Sequence, residues 1–129
     1  MRLLLDSNVL LPIIREEREK LSAHINLLLN AGSNDLFVSI ASLWEIAIKS
    51  RLGKLPLGMP VRQLPVSVLA FGYALLAIDQ HHAIEDLVDR PETNDPFDRM
   101  LLAQCQVEGL RLVTTDRALQ RHPLAWRPA

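Results

Sequence analysis

Only one cysteine occurs in the chain, Cys105, which excludes an intramolecular disulfide and a cysteine-rich zinc site. It lies among Leu101, Leu102 and Val107 in an apolar helical stretch and reads as a core thiol. No apolar run reaches the roughly 18 residues of a membrane span. Met1-Arg2-Leu3-Leu4-Leu5 meets Asp6 too soon to read as a signal peptide, so the expected compartment is the cytoplasm. A formal net charge of −1 supplies no bulk attraction for nucleic acid, and any contact with RNA has to come from a local basic patch. Repeats and low-complexity tracts are absent. What remains is an ordinary globular composition, 129 residues with 49% apolar and 22% charged, enough for one domain over 1–129 with a real core.

Strands and helices alternate along this domain. Arg2-Leu3-Leu4-Leu5 reads as a buried strand that stops on Asp6, with Ser7 or Asn8 starting a helix that runs to about Arg18. A second helix covers Leu21 to Asn30, ended by Gly32, and Leu36 to Ile40 is a second strand. The helix from about Ala41 to Leu52, capped by Ser39 or Ser42, is apolar nearly all round and calls for cover on both sides. After the Gly53 to Pro60 loop, Pro65 allows only short helical structure, Tyr73 to Asp79 reads as a third strand and Gln80 to Val88 as a short helix. Asp95-Pro96 opens the clearest helix, Gly109 closes it, and Leu110 to Asp116 is a last strand. The alternation predicts a central, mainly parallel sheet of four to five short strands between helical layers.

Four carboxylates, Asp6, Glu45, Asp98 and Asp116, sit at the polar ends of apolar segments. In open α/β sheets ligands bind beyond the carboxyl ends of the strands, which sends Asp6 and Asp116 to one edge. Asp98 stands at the third position of its helix, where a charge also suits the helix N-terminus, and Asp95 fits the cap. For Glu45 two readings stand: a surface pair with Lys49 four residues on, worth about 0.2–0.5 kcal/mol, or a polar notch facing a site. If the four acids meet, they oppose folding unless a cation neutralises them. Oxygen ligands without His or Cys select Mg²⁺ or Mn²⁺, and phosphodiester hydrolysis is the natural chemistry. His24, His81, His82 and His122 adjoin none of the proposed ligands in sequence.

These residues carry a family resemblance along essentially the whole chain. LLLDSN, SLWEIAIKSRLGKLPL, NDPFDRMLLAQ and LVTTD together resemble the PIN-domain ribonucleases, specifically the VapC toxins of bacterial type II toxin–antitoxin pairs. The resemblance implies a single PIN domain with a three-layer α/β/α fold, and a Mg²⁺- or Mn²⁺-dependent endoribonuclease whose metal ligands and catalytic residues are Asp6, Glu45, Asp98 and Asp116. Ser7, Asn8, Asp95 and Thr115 are supporting candidates. Lys49, Arg51, Lys54 and Arg99 are candidate RNA phosphate contacts. A small antitoxin protein and a homodimer are the implied partners, with no membrane and no direct DNA binding. Many relatives have Thr and His where this chain has Ser7 and Asn8, and His-Arg where it has Thr93-Asn94, which bears on substrate preference more than on activity.

Other classes remain in view. An aspartyl-phosphate phosphatase needs a second Asp two residues after the first, and position 8 is Asn. A receiver-like module would use Asp79 and leave the Asp98 helix unexplained. A non-toxin or non-catalytic PIN-like RNA-binding protein has no need of all four acids.

Overall fold

The computed structural model describes residues 1–128. Four strands, β1 (Arg2–Leu5), β2 (Asp35–Ser39), β3 (Ala74–Leu76) and β4 (Arg111–Val113), form one sheet in the order β3-β2-β1-β4. All three pairings are parallel, with Leu5 opposite both Val38 and Val113. Helices α1 (Ser7–Ile14) and α2 (Ala23–Asn30) connect β1 to β2, and α3 (Ile40–Arg51) and α4 (Leu64–Ala70) connect β2 to β3. The last crossover runs through α5 (Gln80–Ile84) and α6 (Pro96–Glu108), and α7 (Arg117–Gln120) follows β4. This is the three-layer α/β/α arrangement that the alternation of strands and helices predicts.

Leu3, Leu4 and Leu5 are fully buried, because the central strand is covered on both faces. Side chains alternate across a strand, so Leu3 and Leu5 join Leu10, Ile13, Ile25, Ile46 and Val68 in one core. Leu4 turns to the opposite core with Leu101, Leu102, Cys105, Leu112 and Leu119. Each such leucine contributes about 1.5–3 kcal/mol by leaving water. Cys105 lies in the second core and burial pushes its thiol up to about 12, as expected of a packing residue. The Leu10 to Ile14 run is likewise mostly core, whereas Trp44 on α3 is 60% exposed and Leu52, just past its end, 63% exposed.

Several elements are shorter than the apolar patterns predict, and their partners explain it. β3 stops at Leu76 because that residue pairs with Ser39, the last of β2 before α3 begins. β4 stops at Val113 because its partner Leu5 is the last of β1. α1 ends at Ile14, not near Arg18: Glu16 adopts φ 57, with its amide bonded to Ile13 O at 3.2 Å and that of Glu17 to Pro12 O at 2.7 Å. That is a Schellman closure made without glycine, and a 3-10 turn at Arg18–Lys20 follows. α5 gives way to an extended segment whose Asp86 carbonyl and Val88 amide are both bonded by the Gln106 side chain, at 2.9 and 3.0 Å.

After β1 the chain moves to β2 on one side, and after β3 it returns to β4 on the other. The reversal lies between β1 and β4, where open α/β sheets form a crevice at their carboxyl edge. Asp6 leaves β1 at that point and Asp116 follows β4.

Candidate functional site

Three of the aspartates at this edge are helix caps. Asp6 Oδ1 accepts the Ser7 amide at 2.7 Å and opens α1. Asp95 Oδ1 accepts the Phe97 amide at 2.8 Å, and Asp116 Oδ1 that of Ala118 at 2.8 Å, opening α6 and α7. A cap uses one carboxylate oxygen and leaves the other for a further partner. Asp98 is at the third position of α6, and Glu45 lies in the second turn of α3, the helix that leaves the end of β2.

These elements converge on one cavity of about 220 Å³ whose lining includes Asp6, Glu45, Asp95, Asp98 and Asp116, with Ser7, Asn8 and Lys49 beside them. All four acids singled out in the sequence are therefore in one place. Glu45 is buried and its oxygens are both engaged: Ser7 Oγ donates to Oε1 at 2.6 Å and Lys49 Nζ to Oε2 at 3.0 Å. The two readings of Glu45 thus combine, a pair with Lys49 that itself faces the site. Asn8 Oδ1 accepts the Thr115 amide at 3.2 Å and ties α1 to the end of β4.

Thr114 is the side chain that sequence reasoning passed over in favour of Thr115. Its buried hydroxyl donates to Asp6 Oδ2 at 2.7 Å and accepts the Asp116 amide at 3.1 Å. The period of two puts Thr114 on the face of Leu110 and Leu112, but Val113 on the other face is equally buried, so the pattern alone did not separate Thr114 from exposed Thr115. Thr93 was also missed as a partner, and its hydroxyl donates to Asp98 Oδ2 at 3.2 Å. Of the proposed RNA contacts, Lys49 lines the acidic cavity, Arg51 and Lys54 are exposed outside its lining, and Arg99 lines a neighbouring pocket with His82.

The electrostatics follow from this crowding. Burial, followed by the charges of Asp95 and Asp6, pushes the Asp98 carboxyl up to about 6. Burial raises Asp6 as well, opposed by its bonds from Thr114 and Ser7 and reinforced by the charges of Glu45 and Asp116. The bond to Glu45 holds the Lys49 ammonium above its ordinary value. Unneutralised carboxylates of this kind suit a divalent cation, and the cavity offers oxygen donors with no His or Cys, the set that favours Mg²⁺ or Mn²⁺ over zinc.

A second cluster needs separating from this one. Among the described residues, the trio whose ligand atoms all lie within 4.8 Å of one another is Asp79, His82 and Glu108, outside the cavity. Its contacts account for it without a metal. His82 Nδ1 accepts the Asp79 amide at 3.0 Å, closing a capping box on α5, and Nε2 meets Glu108 Oε2 at 2.8 Å. Both ring nitrogens are committed, Nδ1 to the cap of α5 and Nε2 to fastening α5 to the end of α6.

Comparison with known proteins agrees with this architecture. The model of the PIN domain family matches residues 3–124. Among solved structures, the chain is similar to one described as a toxin–antitoxin complex from Klebsiella pneumoniae, with 21% identity, a TM-score of 0.62 and coverage of 98% of each chain. At that identity the likeness establishes the fold. No curated protein sequence matches the chain.

Proposed function

Because this chain belongs to the PIN-domain family, we propose that it is a Mg²⁺- or Mn²⁺-dependent endoribonuclease and the toxin of a VapBC-like toxin–antitoxin pair. PIN domains are generally nucleases, and the observation that carries the reading is the convergence of Asp6, Glu45, Asp98 and Asp116 on one cavity at the sheet's reversal. The toxin assignment draws on the sequence resemblance and on the likeness to a toxin–antitoxin complex.

In this reading Asp6 and Asp98 are the principal metal ligands, with Glu45 and Asp116 completing the acidic set. A bound divalent cation lowers the pKa of a water and offsets charge on a phosphate oxygen. The protein's own part is positioning. Thr114 fixes Asp6 and the Asp116 backbone in one frame, Ser7 orients Glu45, and Thr93 orients Asp98. Lys49 sits where its ammonium can turn from Glu45 to a substrate phosphate, and Asp95 holds the start of α6. Asn8, with its carbonyl oxygen spent on the Thr115 amide, is unsuited to the acid–base role a phosphatase would require.

Outside the site, exposed Trp44 packs edge-on against Phe97 at 5.5 Å between ring centroids, beside Asp98. We assign this apolar face to a protein partner, the antitoxin or a second copy of the chain. Size-exclusion chromatography with light scattering tests the homodimer, and a monomer at every concentration removes it. No helix among the described residues is long and apolar enough to cross a membrane, and the cytoplasm is the proposed compartment.

The test of the activity is cleavage of a mixed structured RNA pool by the purified chain with Mg²⁺ or Mn²⁺, with chelator, and by Asp98→Asn. Cutting that needs metal and vanishes in Asp98→Asn supports the ribonuclease. A folded chain that binds metal and cuts nothing supports a binding scaffold instead.

A further inference from the structure

One residue along the chain from Asp116, at Arg117, begins the lining of a cleft of about 450 Å³ between the start of α2 and the C-terminal segment. Among the described residues its lining carries Arg117, Arg121, Arg127 and His24 beside Trp126, and no carboxylate. For a chain of net charge −1 this is a marked local concentration of positive charge. Arg121 forms a two-point pair with exposed Glu92 on the rim, at 2.7 and 3.2 Å. Arg117 and Arg127 have no carboxylate partner among the described residues.

The cleft is built on rigid parts. The Trp126 amide donates to Leu112 O at 2.8 Å, Ala125 bridges Leu112 beside β4, and the indole packs against the core that holds Leu3 and Leu5. A flat aromatic face fixed beside guanidinium groups is the combination that takes a stacked base and its phosphates. Location narrows the occupant further. Asp116 lines the acidic cavity and Arg117, the next residue, lines the basic cleft. A strand whose phosphodiester is cut at the acids carries its neighbouring phosphates out past that junction, where the carboxylates repel them and only a cationic wall can hold them.

We infer that this cleft is the subsite for the single-stranded RNA segment flanking the cut bond, with Arg117 and Arg127 on its phosphates and Trp126 under a base; the inference rests on the ribonuclease reading. An acidic peptide could satisfy the arginines, but it would leave the indole unused and would have no reason to adjoin the acids.

The experiment measures binding of a short fluorescent single-stranded oligoribonucleotide by anisotropy, in Mg²⁺, to the full chain carrying Asp98→Asn so that the RNA stays intact. Adding Arg117→Gln with Arg127→Gln weakens binding about tenfold or more and makes the plot of log affinity against log salt shallower by about 1 to 2 units. Arg62→Gln, at a residue that lines neither cavity, leaves binding unchanged. With Trp44→Phe added, Trp126 is the sole tryptophan, and its fluorescence is quenched by RNA. If the double arginine variant binds RNA as its parent does, the inference fails and the ribonuclease reading stands. If the parent binds no RNA, the inference fails, and the cleavage assay on the wild-type chain decides the ribonuclease reading separately. If poly-aspartate binds the parent and is lost from the double variant while RNA binding is untouched, the cleft belongs to an acidic protein partner and the inference is overturned.

Discussion

The Thr114 hydroxyl donates to Asp6 Oδ2 at 2.7 Å, across 108 residues of sequence. The same oxygen accepts the Asp116 amide at 3.1 Å, so one buried atom sets the spacing between the acids that follow β1 and β4. Replacing it by a shape-matched apolar group separates packing from orientation.

Thr114→Val therefore folds, with a loss of about 1–3 kcal/mol from the stranded Asp6 oxygen and Asp116 amide. Metal affinity and RNA cleavage fall about 10- to 100-fold, the usual effect of removing a group that orients a ligand. Thr114→Ser restores both. Calorimetric Mn²⁺ titration beside a thermal melt makes the comparison, and a Val variant with unchanged metal affinity would show the hydroxyl to be structural only.

The raised carboxyl of Asp98 gives the metal-free protein a pH-dependent stability. A group whose folded pKa lies above its unfolded value binds more protons when folded, so its charged form works against folding. Between its ordinary value near 3.8 and about 6, stability falls as pH rises, and Asp6 adds a change of the same sign. In chelator, the melting temperature drops by a few degrees from pH 5 to pH 7. Asp98→Asn flattens that slope, and saturating Mg²⁺ at pH 7 reverses the loss. A melting temperature that rises steadily from pH 5 to pH 7 in chelator would mean that burial and the neighbouring acids do not raise Asp98.

Lys49 is half exposed and pairs with buried Glu45. Lys49→Met changes stability by no more than about 1 kcal/mol, since solvent screens such a pair. It removes a cation that competes for Glu45, so Mn²⁺ binds at least as tightly, while RNA cleavage falls at least about tenfold through the lost phosphate contact. Weaker metal binding in this variant would instead make Lys49 a support for the ligands. Titration and cleavage on one preparation distinguish the two.

How far the sequence could be read depended on where each signal lay. Asp95-Pro96 and Gly109 mark both ends of α6, and Gly109 takes up the left-handed φ of 70 that ends a helix, so that element was legible to the residue. Glu16 adopts the same conformation without glycine and hid the end of α1. The ends of β3 and β4 were hidden for another reason, since a strand's length is set by a partner distant in sequence, Ser39 for Leu76 and Leu5 for Val113. Asp6, Glu45, Asp98 and Asp116 stood out because each interrupts an apolar segment. Thr114 did not, since a hydroxyl in a strand is ordinary until the topology brings Asp6 against it. The basic cleft joins α2, α7 and Trp126 across the chain and has no local motif at all.

The proposed ribonuclease needs its divalent cation at the strand-edge acids and not at the Asp79–His82–Glu108 cluster. Calorimetric titration of Mn²⁺ into the wild-type chain, Asp98→Asn and Glu108→Gln measures this directly. Asp98→Asn is expected to lose binding and Glu108→Gln, whatever it costs in stability, to retain it. Undiminished binding in Asp98→Asn together with its loss in a folded Glu108→Gln would contradict the account and move the metal to the other cluster.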